Sequence, residues 1–148
     1  MRTRVAWWMA VAVVAVAVSG CMQVEQEGSG DAEPVTYAIL IDVVDEPPNG
    51  TAFTLEGAVE ATSEEFTAFQ QLEAFTEAEG VVLNTTYYES FESTSVDAIN
   101  GVEGQQDPEG PGFYYWKFLL NGEASDVGAD QAVLSPGDEV EWRFVLEE

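Results

Sequence analysis

Residues 113–130 read FYYWKFLLNGEASDVGAD, and the way this stretch folds decides the architecture of the chain. Phe113–Leu120 is an aromatic and aliphatic run suited to extended backbone, and Asn121-Gly122 directly after it is a tight-turn signal. The run is therefore read as a strand. A matching strand is expected at 139–146 (EVEWRFVL), after the turn Pro136-Gly137-Asp138. In it Val140, Trp142, Phe144 and Leu146 fall on one face, and Glu141, Arg143 and Val145 on the other. Beyond residue 20 the chain has only two tryptophans, Trp116 and Trp142, and only two cations, Lys117 and Arg143, each directly following a tryptophan. Because successive side chains in a strand point to opposite faces, each pair splits into a tryptophan on one side and a cation on the other. The cations are read as local foils to the carboxylates around them. Trp142 is read as a core residue, and Trp116 as either core or ligand contact.

Working outward, Val35–Val44 (VTYAILIDVV) is a β-branched run bounded by Pro34 and the turn-rich segment 45–50, and its near-continuous apolarity predicts a strand buried on both faces. Residues 51–61 follow as a hairpin partner, with a bulge expected at Gly57. Phe66, Phe69, Leu72 and Phe75 recur at helical spacing and Gly80 closes the run. Two capping-box spacings compete for the helix start, Thr62 with Glu65 and Thr67 with Gln70; the helix core is 68–79. Strands are expected at 81–91 and 95–102, the latter closing on the Asn100-Gly101 turn, then a loop over 104–112 and a short strand at 131–134. Strands around one helix predict an α+β domain, a single mixed or antiparallel sheet covered by one α-helix.

The N-terminus has another character. Arg2 and Arg4 precede an uncharged Ala/Val run from Val5 to Val18, shorter than the ~20 apolar residues of a membrane span. Val18-Ser19-Gly20-Cys21 resembles a bacterial lipoprotein processing box. That resemblance implies a signal peptide over 1–20, lipidation of Cys21, and a place in the cell envelope, on the outer membrane or the outer face of the cytoplasmic membrane. Residues 21–34 then form a lipidated cysteine and flexible acidic linker, and 35–148 a single domain. With one cysteine no intramolecular disulfide can form.

Past residue 20 there are 28 carboxylates against two cations, a net charge of −26. Such a surface excludes ordinary binding to a nucleic-acid backbone, which needs neutralising cations. It matches a protein adapted to a salty habitat, where the Debye length falls to about 3 Å and self-repulsion is screened, with an acidic calcium-binding surface or simple solubilisation as the alternatives. The chain has no histidine, the commonest general base and metal ligand. No catalytic motif is present, and Glu139 with Glu141 reads as two solvent-facing positions of one strand. The expectation is no catalytic residue, no metal site and no enzyme.

Four segments together resemble the transcobalamin/intrinsic-factor C-terminal-like domain. They are TAFQQLEAF (67–75), STSVDAINGV (93–102), YYWKFLLNGEASDVGAD (114–130) and LSPGDEVEWRF (134–144). The resemblance spans almost the whole domain and implies a β-grasp-like fold with cobalamin or another corrinoid as ligand and no covalently bound cofactor. In carriers of that family this domain covers one face of the corrin and a larger helical domain covers the other, so the resemblance supplies half of a shared site. The implied partners are a vitamin B12 uptake component or a second binding domain, besides the membrane held through Cys21. The segment from Val96 to Ile99 and the hairpin from Trp116 to Val127 would face the ligand, with Tyr87, Tyr88 and Phe91 nearby. The alternative is a cell-surface protein–protein interaction module with no small ligand.

The acidity makes a prediction of its own. Thermal denaturation of the soluble domain should show a higher midpoint in molar salt than in dilute buffer, and equal midpoints would remove salt adaptation as the reason for its charge.

Overall fold

The computed structural model describes residues 33–148. The signal segment, Cys21 and the linker to residue 32 lie outside them. Chain order is β1 (Val35–Val43), β2 (Thr54–Ala61), α1 (Ala68–Glu79), β3 (Leu83–Tyr88), β4 (Ser93–Ile99), β5 (Val102–Glu103), β6 (Gln105–Gln106), β7 (Phe113–Leu120), β8 (Glu123–Ala124) and β9 (Glu139–Glu147). The class is α+β. Where one sheet was expected there are two: a six-stranded mixed sheet in the order β2-β1-β9-β7-β6, with β8 also on β7, and a three-stranded antiparallel sheet β3-β4-β5. Gly104 alone separates β5 of the small sheet from β6 at the edge of the large one.

The first and last strands meet in the middle of the large sheet. β1 runs parallel to β9 from Ala38 opposite Glu139 to Val43 opposite Phe144, and antiparallel to β2 on its other side. β7 pairs with β9 along eight residues, from Phe113 opposite Glu147 to Leu120 opposite Val140. These registers put Ile39, Ile41, Val43, Trp116, Val140, Trp142 and Phe144 on one face, all buried. Burying a side chain of this kind contributes roughly 1.5–3 kcal/mol. The opposite face carries Thr36, Ala38, Lys117, Glu141 and Arg143 and is open to a variable degree. β1 is thus buried on one face only, contrary to its apolar sequence, because no second layer covers that side.

α1 lies on the buried face. Of the two competing caps, Thr67 is the one used: its hydroxyl accepts from the Gln70 amide, while Gln70 accepts from the Thr67 N–H. Gly80 ends the helix at φ 68°, a left-handed conformation that glycine adopts without Cβ strain. Within the helix Gln71 is fully buried and its Nε2 donates to the carbonyls of Tyr37 and Ala38, at 3.0 Å each, tying α1 to β1; its Oε1 has no partner.

Gly57 makes no bulge. Pairing runs through it without a break, Ile39 opposite Gly57, and a Cβ there would stand 2.5 Å from the Phe75 ring. Its role is to let helix and sheet approach. The irregularity sits instead in the β3–β4 register, between Asn84 and Thr85. The strand expected at 131–134 is reduced to a bridge between Thr67 and Val133. Its backbone serves the helix start: the N–H of Ala68 donates to Ala132 O and that of Leu134 to Phe66 O.

Replacing Gly57 with Ala should therefore destabilise the domain by about 1–3 kcal/mol through overpacking against Phe75, read as a lower denaturant midpoint at unchanged m-value.

Candidate functional site

Residues from three places distant in sequence line one cavity. β4 supplies Thr94, Ser95 and Val96; β7 supplies Tyr115, Trp116, Lys117 and Phe118; and the segment after the Asn121-Gly122 turn supplies Ala124, Ser125 and Val127–Ala129, with Trp142 behind them. The cavity measures about 380 Å³, within the ~300–1,000 Å³ range of small-molecule sites.

Local rules build each wall. Asn121 and Gly122 both have positive φ, 53° and 80°, the geometry of a tight hairpin turn, and they fold β8 back on the end of β7. The loop beyond is fastened on two sides. Asp130 accepts from the Ser93 hydroxyl at 3.1 Å and from the Thr94 N–H at 2.7 Å, which bolts it to β4. The carbonyl of Ala129 accepts from Phe69 N–H and that of Ala132 from Ala68 N–H, so helix donors that lack an intrahelical partner are used to hold the loop.

Aromatic rings form the back wall. Phe118 stacks on Trp142 with centroids 5.2 Å apart, and Trp116 packs obliquely on Phe144 at the same separation. The Trp116 indole N–H donates to Val102 O at 2.8 Å, linking the two sheets across the core. The Trp142 indole N–H is buried without a partner. Such an orphaned donor costs free energy unless an acceptor reaches it.

The cavity also borders unpaired main chain. β6 pairs with β7 only at Phe113–Tyr114 and β8 only at Leu119–Leu120. Ser125 N–H points at Phe118 O from 3.5 Å, and strand alternation then turns the N–H and C=O of Trp116 toward the same outer edge. Those groups are free to meet a polar ligand rim.

On the outer face of β7, Lys117 Nζ lies 2.9 Å from Glu147 Oε1. The hydrogen bond to Glu147 is the main cause holding the lysine above its usual pKa. Glu147 is held below the ordinary carboxylate range, first by the hydrogen bond with Tyr115 and then by that with Lys117. Lys117 stands directly opposite Arg143, which pairs with Glu141. The two cations therefore lie on the outer face behind their tryptophans.

Of the residues singled out from sequence, Val96, Trp116 and Val127 come together in the cavity wall. Ile99 does not: it is fully buried among core residues. Tyr87, Tyr88 and Phe91 stand one strand away, with Tyr87 opposite Thr94 and Tyr88 opposite Ser93, exposed on the projecting β3–β4 hairpin; Phe91 is 75% exposed. Sequence reading missed Thr94, Ser95 and the clamp Asp130. Phe118 was within reach, since it shares the face of Trp116 two residues on. Among the described residues no group of three or more His, Cys, Asp or Glu is placed to hold a metal, and no helix is long and apolar enough to cross a membrane.

Comparison with known proteins adds fold information. The profile of a family described as a domain of unknown function, DUF4430, matches residues 67–145, more than half of the chain. No curated protein matches. Among solved structures, haptocorrin in complex with Cbi superposes with a TM-score of 0.57 at 16% identity, over 76% of this chain and 25% of haptocorrin. The chain thus spans about a quarter of haptocorrin's length. A candidate metal-binding protein from Ruminococcus gnavus aligns over 77% of this chain and 99% of its own, at 15% identity and a TM-score of 0.49.

Replacing Asp130 with Ala should free the loop from β4. The Thr94 amide should then exchange with solvent measurably faster, and the domain should lose about 1–3 kcal/mol from the broken charge-assisted hydrogen bonds.

Proposed function

The chain belongs to the DUF4430 family, and we propose that its domain is a binding module rather than an enzyme, taking a corrinoid in the cavity between β4 and β7 as one half of a shared site. The observation that carries this reading is the cavity wall itself: stacked aromatic rings beside an unpaired strand edge. A corrin offers a flat apolar face with amides at its rim, which suits aromatic contact in the middle and main-chain hydrogen bonds at the edge. The likeness of fold to haptocorrin supports the same reading. A cavity of about 380 Å³ takes part of such a macrocycle and leaves the rest to a second component, an uptake protein or another binding domain. Without histidine the chain offers no imidazole to cobalt, so contact is peripheral. In this proposal a lipid on Cys21 anchors the module outside the cytoplasm. The exposed aromatic hairpin of Tyr87, Tyr88 and Phe91 favours a second reading, a protein-interaction module with no small ligand.

Titration of cyanocobalamin into the protein, in dilute and in molar salt, separates the two. The corrinoid reading expects saturable quenching of tryptophan fluorescence and about a 3–10-fold weaker complex for Phe118→Ala, the scale of one lost aromatic stacking contact. No binding at either salt, with or without a second component, overturns it.

A further inference from the structure

Two tryptophans stand in the cavity wall, and their indole N–H groups are used differently. That of Trp116 is spent on Val102 O at 2.8 Å, inside the protein. That of Trp142 has no partner, although only 3% of the residue is exposed and its nitrogen is sealed from solvent. The ring stacked on it does not serve as one. An indole N–H lies in the plane of its own ring, whereas Phe118 covers the ring face with centroids 5.2 Å apart and planes 29° apart, out of line to accept. A buried donor left in this state is a standing cost to the fold, one that an apolar residue of the same shape would avoid. The ring beside it is less confined: Phe118 also lines the cavity and is only half-buried.

Resting on the corrinoid reading, we propose that Trp142 is a ligand-contact residue of this site: its Nε1–H donates to the carbonyl oxygen of an amide arm of the macrocycle, which reaches it as the Phe118 ring moves aside. The class of ligand group follows from the donor and its surroundings. An N–H calls for an acceptor, and an amide oxygen is a neutral one. It enters a chain of 28 carboxylates without the repulsion that a carboxylate or phosphate would meet. Burial then strengthens the bond, since water no longer competes for either partner. The roles expected from strand alternation are thereby exchanged. Trp116 is the staple between the two sheets, and Trp142 is the tryptophan whose N–H meets the ligand.

The test removes the N–H and keeps the fused ring. In the full chain, Trp142→benzothienylalanine puts sulfur where the N–H stood; cyanocobalamin binding is measured by equilibrium dialysis in dilute and in molar salt, and the free protein is unfolded in denaturant. Affinity should fall about 3–10-fold, the scale of one neutral hydrogen bond, while the denaturant midpoint stays equal to that of the wild type or rises, because the orphaned donor is gone. Unchanged affinity overturns the role. So does a lower midpoint, which would mean that the N–H already has a partner in the free protein. A second readout needs no substitution: in the proton–nitrogen correlation spectrum of the unsubstituted chain, the assigned Trp142 indole signal should move downfield when cyanocobalamin is added, as a newly formed hydrogen bond requires. A signal that stays in place, or moves upfield, in the bound protein overturns the role alone. Absence of cyanocobalamin binding at either salt overturns the corrinoid reading and the role together.

Discussion

The parallel pairing of β1 with β9 is the constraint on which the rest of the domain depends. It joins residues about a hundred positions apart, Ala38 with Glu139 through Val43 with Phe144, and it seats Ile41 beside Trp142 and Val43 beside Phe144. Every other element hangs on that ladder. β2 attaches through β1, and α1 lies on both, held to β1 by the Gln71 amide and to β2 by Phe75 in the space left at Gly57. β7 attaches through β9 and brings Trp116, whose indole reaches Val102 and so carries the small sheet. Closing so long a loop is entropically costly, though the cost rises only slowly with length, and the buried faces of these strands offset it.

The open side of the large sheet follows another logic. With no layer over it, the charge it carries stays in contact with water. Lys117 and Arg143 meet there as direct cross-strand neighbours, an unfavourable like-charge pair that two carboxylates of β9 relieve, Glu147 for Lys117 and Glu141 for Arg143. The rarity of cations in the chain thus has a local use: both sit on the outer face of the two strands whose inner faces carry the tryptophans. The arrangement stiffens nothing by itself, since exposed ion pairs contribute little to stability.

Local chemistry was legible in the sequence, and long-range pairing was not. The helix core at 68–79, the Gly80 stop, the strand at 113–120 and the inward face of Val140, Trp142 and Phe144 all follow from spacing within one segment, whereas the choice of Thr67–Gln70 over Thr62–Glu65 as the cap does not. Gly57 was misread because a glycine in a strand signals a bulge as readily as a close approach, and only the position of Phe75 decides between them. The run 131–134 was misread as a strand because its backbone partners belong to a helix start some sixty residues earlier. Val96, Trp116 and Val127 could be named from a family resemblance, but nothing in the sequence near Asp130 discloses that it clamps Ser93 and Thr94. The division into two sheets was hidden for the same reason, since β5 and β6 are two-residue strands that exist only through their partners.

The central position of β1 also has a mechanical consequence. β1 begins two residues after the described part of the chain opens, so a pull from the N-terminal side acts along its axis. Resisted at β7, that pull loads the β1–β9 ladder and then the β9–β7 ladder in shear. Hydrogen bonds loaded in shear share the force and yield together, whereas a strand at the sheet edge peeled from its end would give way one bond at a time. A module tethered by its N-terminus would thus keep its cavity intact while the tether is under tension.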